Sequence, residues 1–275
     1  MFNSIRLYNI KKRIINYCKN NKNDTTKEIW EYLKKNELTY FNYEWFKDYD
    51  YSVQYNIETD EEGWKYINYN SHRMYFKKNW DIKIIEEYLN NLLPEQNKKS
   101  PHLYFDDNEK KEFYDVVIDA GSAEGLFSLE ILDLSKKIYI FEPDEEWVEA
   151  LKRTFRDYSD KVTIINKFLG DVNKGCYNLS NLIRQEKKID LIKLDIEGSE
   201  IELLYSIKDE LKCVSEILVC VYHYQEEEKD LFHFLNNLLR INYSVIIRDG
   251  FILFLHDKNQ KYPYLRHGVI RVIFD

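Results

Sequence analysis

The sequence predicts an α/β protein: a doubly wound, mostly parallel, seven-stranded sheet with a smaller N-terminal α+β region. Three observations carry this. From residue 115 onward, short runs rich in β-branched residues alternate with amphipathic helical stretches. One of them, DVVIDAGSAEGLFSLEI (115–131), passes from a strand through a tight glycine turn into a helix. Before residue 110 the alternation is missing, and helical periodicity gives way to period-two runs. Apolar strands alternating with helices imply a parallel sheet covered on both faces.

The elements follow in order. Residues 4–20 and 25–36 read as helices, the second opening at an Asp/Thr cap with Glu28 placed for a capping box. Residues 51–76 alternate in period two around the turn DEEG, which predicts short antiparallel strands. Residues 81–93 return to helix and stop at Pro94. The stretch EQNKKSPHLYF (95–105) is an irregular connector, and the charged run DDNEKKE marks a boundary near residue 110. This divides the chain into 1–110, a substrate or lid region, and 111–275, the sheet domain. Strands are expected near 115–119, 137–142, 162–166, 189–195, 216–222, 243–248 and 269–274. Helices are expected at 125–134, 144–156, 199–211 and 226–239. The last two strands are joined without a long helix, so they are expected as an antiparallel pair at the sheet edge. In sheets of this kind, ligands sit at the carboxyl ends of the strands.

Composition narrows the function classes. The net charge is -8 and the pI about 5.4, which speaks against a nucleic-acid backbone as the main partner. No apolar run is long enough to span a bilayer. The N-terminus has neither an uninterrupted apolar core nor a small-residue cleavage site, so no signal peptide is read. Four cysteines without CxxC spacing suit reduced thiols and a cytoplasmic setting. The 23 tyrosines decide nothing by themselves.

Three constellations carry chemistry. Asp119, Gly121 and Gly125 form D-x-G-x-x-x-G at a strand–helix turn, where backbone can approach a ligand closely. The dinucleotide pattern G-x-G-x-x-G is not met, because residue 123 is Ala. Glu142 ends the next strand in IYIFEPD, about 20 residues on, where an acid accepts ribose hydroxyls. That reading alone leaves NAD and S-adenosylmethionine (SAM) open. Then IDLIKLDIEGSEIELL (189–204) ends a strand in Asp195, followed by Glu197, Gly198 and Glu200.

Taken together, DAGSAEGLFS, FEPD and IKLDIEGSE resemble the FkbM-type family of class I SAM-dependent methyltransferases over roughly residues 115–275. The resemblance implies a Rossmann-like sheet and SAM as cofactor. It implies that Gly121, Ser122 and Gly125 line the methionine part of SAM, with Asp119 organising that loop. Glu142 would take the ribose, and Asp171 is a candidate at the adenine. EQNKKSPHLY looks like a segment that precedes the SAM domain in related sugar-modifying methyltransferases, so Gln96, Ser100 and His102 would close the pocket. Catalysis falls to strand-end groups: His223 as base, Asp195 as orienter or substrate contact, and Glu197. The same three, Asp195, Glu197 and His223, could hold a divalent ion. Cys220 stands where many relatives carry an acid, so the metal-free base is preferred. Lys193 is a candidate ion-pair partner of Asp195.

No NPPY or DPPY follows the fourth strand, which favours an O-methyltransferase over amine methylation. The expected acceptor is a small or glycan hydroxyl, above all a sugar, nucleotide-activated or polysaccharide-bound. Tyr51, Tyr55, Trp64, Tyr66 and Tyr69 are candidates for a sugar-stacking platform. The competing readings are a non-catalytic SAM-fold binding protein, a NAD-dependent oxidoreductase and an RNA methyltransferase. The oligomeric state is not legible.

Overall fold

The structure is a computed structural model of the 275-residue chain; it describes residues 2–49, 54–170, 172–224, 226–238, 241–253 and 264–275. Tyr51 and Asp171, both singled out above, lie outside the described residues.

Helices α1 (Phe2–Asn20) and α2 (Asp24–Lys35) open the chain. The start of α2 differs from expectation. Its cap is Asn23, whose side chain accepts from the Thr26 amide at 2.7 Å, while Thr26 Oγ1 accepts from the Asn23 amide at 3.0 Å. Thr26 closes the capping box that Glu28 was expected to close. Strands β1 (Glu58–Thr59), β2 (Lys65–Tyr69) and β3 (His72–Tyr75) form an antiparallel sheet. Its first turn is DEEG. The second is Asn70-Ser71, both at positive φ, as a two-residue hairpin loop requires. Helix α3 runs Ile82–Glu95 and carries Pro94 inside its last turn. The expected stop falls two residues later, at Gln96, whose amide donates to the Leu93 and Pro94 carbonyls.

The main sheet has seven strands. They are β4 (Tyr114–Ala120), β5 (Ser135–Phe141), β6 (Val162–Ile165), β7 (Leu191–Leu194), β8 (Glu216–Cys220), β9 (Tyr243–Ile247) and β12 (Val269–Phe274). Their order is β6-β5-β4-β7-β8-β12-β9. The first five are parallel, and β12 is antiparallel to both β8 and β9. A small antiparallel pair, β10 (Ile252–Leu253) and β11 (Leu265–Arg266), lies between the last two. Helices α4 (Leu126–Glu130), α5 (Glu145–Thr154), α6 (Leu179–Glu186), α7 (Glu200–Ser206) and α8 (Glu227–Asn236) make the crossovers.

Successive strand residues feed opposite faces of the sheet. Val117, Ile138 and Leu218 pack with α4, α5 and the N-terminal helices. Val116, Ile118, Ile217 and Val219 pack with α6, α7 and α8. The sheet is therefore covered on both sides, as predicted. The first cluster runs from Ile10 to Val269, so the residues before 110 share a hydrophobic core with the sheet. No described helix is long and apolar enough to cross a membrane.

Strand order reverses at β4, between β5 and β7. Crossovers leave to opposite sides there, and a crevice opens beyond the carboxyl ends of β4, β5 and β7.

Candidate active site

The turn after β4 is built around a buried carboxylate. Asp119 is fully buried. Its Oδ2 accepts from Ser122 Oγ at 2.8 Å and Ser128 Oγ at 2.7 Å. Its Oδ1 lies 3.2 Å from Lys193 Nζ, which also donates to the Gly121 carbonyl at 2.5 Å. Burial alone would lower the Lys193 pKa, but the Asp119 and Asp195 charges hold it well above the usual range. The Lys193 partner is thus Asp119 rather than Asp195. Asp119 bonds two serines of the turn and its helix, and its burial keeps it behind the crevice surface.

Gly121 has φ +77, and a Cβ there would lie 1.8 Å from the Asp195 carbonyl oxygen. No other residue lets β4 and β7 converge this closely. Gly125, at φ +88, caps α4, and a Cβ would press on Leu151 at 2.8 Å. Between them Ala123 holds φ +46 and aims its amide at Glu142 Oε2, 2.8 Å away. Glu142 Oε1 accepts from the Asp144 amide at 2.9 Å. Burial raises the Glu142 pKa, against those two amides.

Two clefts meet here. One, of about 280 Å³, lies beyond β5 and β7; its walls include Glu142, Trp147, Phe168 and Leu169. The other, of about 190 Å³, is closed from the N-terminal side by Tyr88, Leu92, Glu95 and Tyr104. Gly121, Ala123, Asp195 and Glu197 line both. Phe168 stands 67% exposed on the wall of the first cleft.

Asp195, one residue past the end of β7, collects the polar groups of the second cleft. Tyr104 donates to Oδ2 at 2.8 Å and Tyr222 to Oδ1 at 3.3 Å. His223 Nε2 lies 3.2 Å from Oδ1. The other ring nitrogen, Nδ1, faces Glu200 at 3.3 Å and Glu227 at 3.6 Å. Burial lowers the His223 pKa, but these carboxylates outweigh it and lift it to about 11. Burial likewise raises Asp195, while His223 and Lys193 hold its carboxyl well below the usual range.

Both ring nitrogens of His223 thus face carboxylates, which favours the protonated ring over a free proton acceptor. Two sets of side chains bring ligand atoms within 4.8 Å of one another: Asp195, Glu200 and His223, and His102, Asp195 and Cys220. Glu197 instead stands in the turn at φ +58, exposed to both clefts and without a hydrogen-bond or ion-pair partner among the described residues. Three carboxylates face one imidazole ring, and burial raises the Glu200 pKa to about 8.

Gln96, Ser100 and His102 do not line the clefts; they form the layer behind. His102 is buried, and burial pushes its pKa down to about 4. Its Nε2 meets Tyr222 Oη at 3.0 Å, and Gln96 Oε1 accepts from the Tyr104 amide at 3.2 Å. Both therefore act on Asp195 through a tyrosine. Ser100 Oγ accepts from the His102 amide at 3.0 Å. The aromatic platform is also corrected: Trp64 and Tyr66 are buried in the core, Tyr69 donates to Glu130 at 2.6 Å and Tyr55 to Asn90 at 2.8 Å.

The residues the sequence reading missed are Tyr88, Glu95, Tyr104, Phe168 and Glu227. Burial raises Glu95 well above the usual carboxylate range, helped by the Asp195 and Glu124 charges. Tyr104 was in view within SPHLY, but nothing local ties it to Asp195, 91 residues away.

Comparison with known proteins adds the following. Residues 158–245 match the methyltransferase FkbM domain family. No curated protein matches the sequence. Among solved structures, an rRNA methylase from Streptococcus thermophilus is 16% identical at a TM-score of 0.38, covering 60% of this chain and 87% of that one. The methyltransferase FkbM from Methylobacillus flagellatus KT is 16% identical at a TM-score of 0.41, covering 68% and 54%. SMU.1697c from Streptococcus mutans, described as a methyltransferase and crystallised with SAH, is 14% identical at a TM-score of 0.40, covering 60% and 90%. The matched segment runs from β6 to β9 and contains Asp195, Glu197 and His223, and it resembles the methyltransferase FkbM domain over that stretch.

Proposed function

We propose that this chain transfers the methyl group of SAM to a hydroxyl of a small or glycan acceptor, a sugar hydroxyl above all. The observation that carries the reading is the pair of clefts sharing Gly121, Ala123, Asp195 and Glu197. SAM would lie along the first, with its ribose at Glu142. Each Glu142 oxygen takes one backbone amide and keeps a lone pair for a ribose hydroxyl. Adenine would cover Phe168. The methionine end would follow the loop Gly121–Gly125 toward the junction, and the acceptor would enter from the second cleft.

Transfer from sulfonium is an in-line displacement: an O–C bond forms as the C–S bond breaks. Orienting the partners supplies about 7–11 kcal/mol in well-aligned cases. The hydroxyl proton must leave as the bond forms. We assign it to Glu197, whose unpartnered carboxylate lies at the junction; a base of this kind contributes about 10²–10⁴-fold. Its positive φ is a strain of about 1–3 kcal/mol of the sort kept at functional positions. Asp195, held ionised by His223, would accept a hydrogen bond from the acceptor and aim it. No step requires a metal ion.

Labelled-methyl transfer from SAM onto a panel of neutral sugars, nucleotide sugars and natural-product alcohols tests the proposal, run with and without chelator. Label on a sugar oxygen that persists with chelator supports it. Label on RNA or on an amine refutes the acceptor, and transfer that stops with chelator refutes the assignment of Glu197.

A further inference from the structure

A second groove lies away from the crevice, between the end of α1 and the start of α2. It measures about 560 Å³ and is lined by Lys19, Lys22, Lys27 and Trp30, with Asp24 the one acid on its wall. Residues 1–35 carry nine Lys and Arg against three Asp and Glu, within a chain of net charge -8. Most basic side chains near acids in this fold are paired, as Lys34 is with Glu31 at 3.1 Å. Lys19, Lys22 and Lys27 have no ion-pair or side-chain hydrogen-bond partner among the described residues. Asp24 leaves two positive charges uncompensated, and the α2 N-terminus faces the same space.

A concave wall of unpaired ammonium groups fits a phosphate group, which offers several charged acceptor oxygens. We infer that this groove binds a phosphate-bearing ligand, held by Lys19, Lys22 and Lys27. The phosphate comes either from a soluble ester or from a phospholipid headgroup. Along α1 the same chemistry continues in Tyr8, Lys12 and Lys19, spaced to share one face, with Lys12 Nζ 4.5 Å above the Tyr8 ring.

The test is calorimetric titration of the full chain with pyrophosphate, beside sedimentation with phosphatidylglycerol or phosphatidylcholine vesicles. K22Q/K27Q and K22R/K27R are compared with the native chain, and circular dichroism checks that each is folded. Saturable pyrophosphate binding that weakens at least tenfold in K22Q/K27Q, and is kept in K22R/K27R, supports a soluble phosphate. Binding to phosphatidylglycerol vesicles alone, lost in the same variant, supports a headgroup. Binding of neither, or binding that K22Q/K27Q leaves unchanged, overturns the inference.

Discussion

Replacing Lys193 with Met tests how the loop after β4 is held. The side chain is buried, with its ammonium 3.2 Å from the fully buried Asp119 and 2.5 Å from the Gly121 carbonyl. Met matches the stem but removes the charge. Asp119 then keeps two serine hydroxyls and loses its counter-charge. Breaking one side of a buried pair costs about 3–5 kcal/mol, because the remaining charge is left uncompensated. That is a large share of a typical stability of about 5–15 kcal/mol. With a urea slope of about 3 kcal/mol per molar, the midpoint should fall by about 1–1.7 M. In K193M/D119N neither charge remains, so the double variant should be more stable than the sum of the singles implies, by about 0.5–3 kcal/mol. Urea unfolding followed by circular dichroism measures all four proteins. A K193M midpoint equal to the native one, or strictly additive singles, would refute the reasoning.

Other outcomes follow from the same geometry. Gly121→Ala must move the Asp195 carbonyl away from a Cβ at 1.8 Å and adopt φ near +77; left-handed backbone alone costs about 1–2 kcal/mol, so both unfolding midpoint and SAH affinity should drop, and unchanged affinity would contradict the close approach. Glu197→Gln should lower kcat by about 10²–10⁴-fold while leaving SAH binding and thermal stability near native; a change under threefold would remove Glu197 as the proton acceptor. The two buried histidines should respond to pH in opposite directions. His223 is raised to about 11, above its ordinary value near 6.5, so its contribution is complete below about pH 6.5 and fades as pH rises toward 11. His102 is lowered to about 4, so its contribution is complete above about pH 6.5 and fades as pH falls toward 4. Stability differences between the native chain and H223Q or H102N, measured across pH 4–10, should therefore narrow at opposite ends, and flat differences would contradict both assignments.

The sheet was legible because its strands are continuous apolar runs bounded by polar loops, such as YDVVIDA and EILVC. All seven expected strands appear within a few residues of their places. The antiparallel edge pair also appears, with Ile270 of β12 opposite Ile247 of β9. Local chemistry was less legible. Asn23 outcompetes the Asp24–Thr25 start because its own backbone amide completes the box with Thr26. Pro94 is tolerated because it sits in the last turn, where few helical hydrogen bonds remain to be lost.

The site divides the same way. Glycine spacing and strand-end acids marked Asp119, Gly121, Gly125, Glu142 and Asp195, since each is fixed by its own strand and turn. The surroundings of His223 were not legible, because they depend on Glu227 from α8 and Glu200 from α7 closing on one ring. The same holds for Tyr88 and Glu95, which reach the second cleft only through the packing of α3.

The proposed function requires that the crevice at Gly121 and Glu142 hold SAM. Calorimetric titration of the native chain with SAH, with NAD as control and Glu142→Ala as variant, tests it most directly. Saturable one-site binding of SAH, none of NAD, and at least tenfold weaker SAH binding in the variant are the expected results. Binding of NAD, or SAH binding that Glu142→Ala leaves intact, would contradict it.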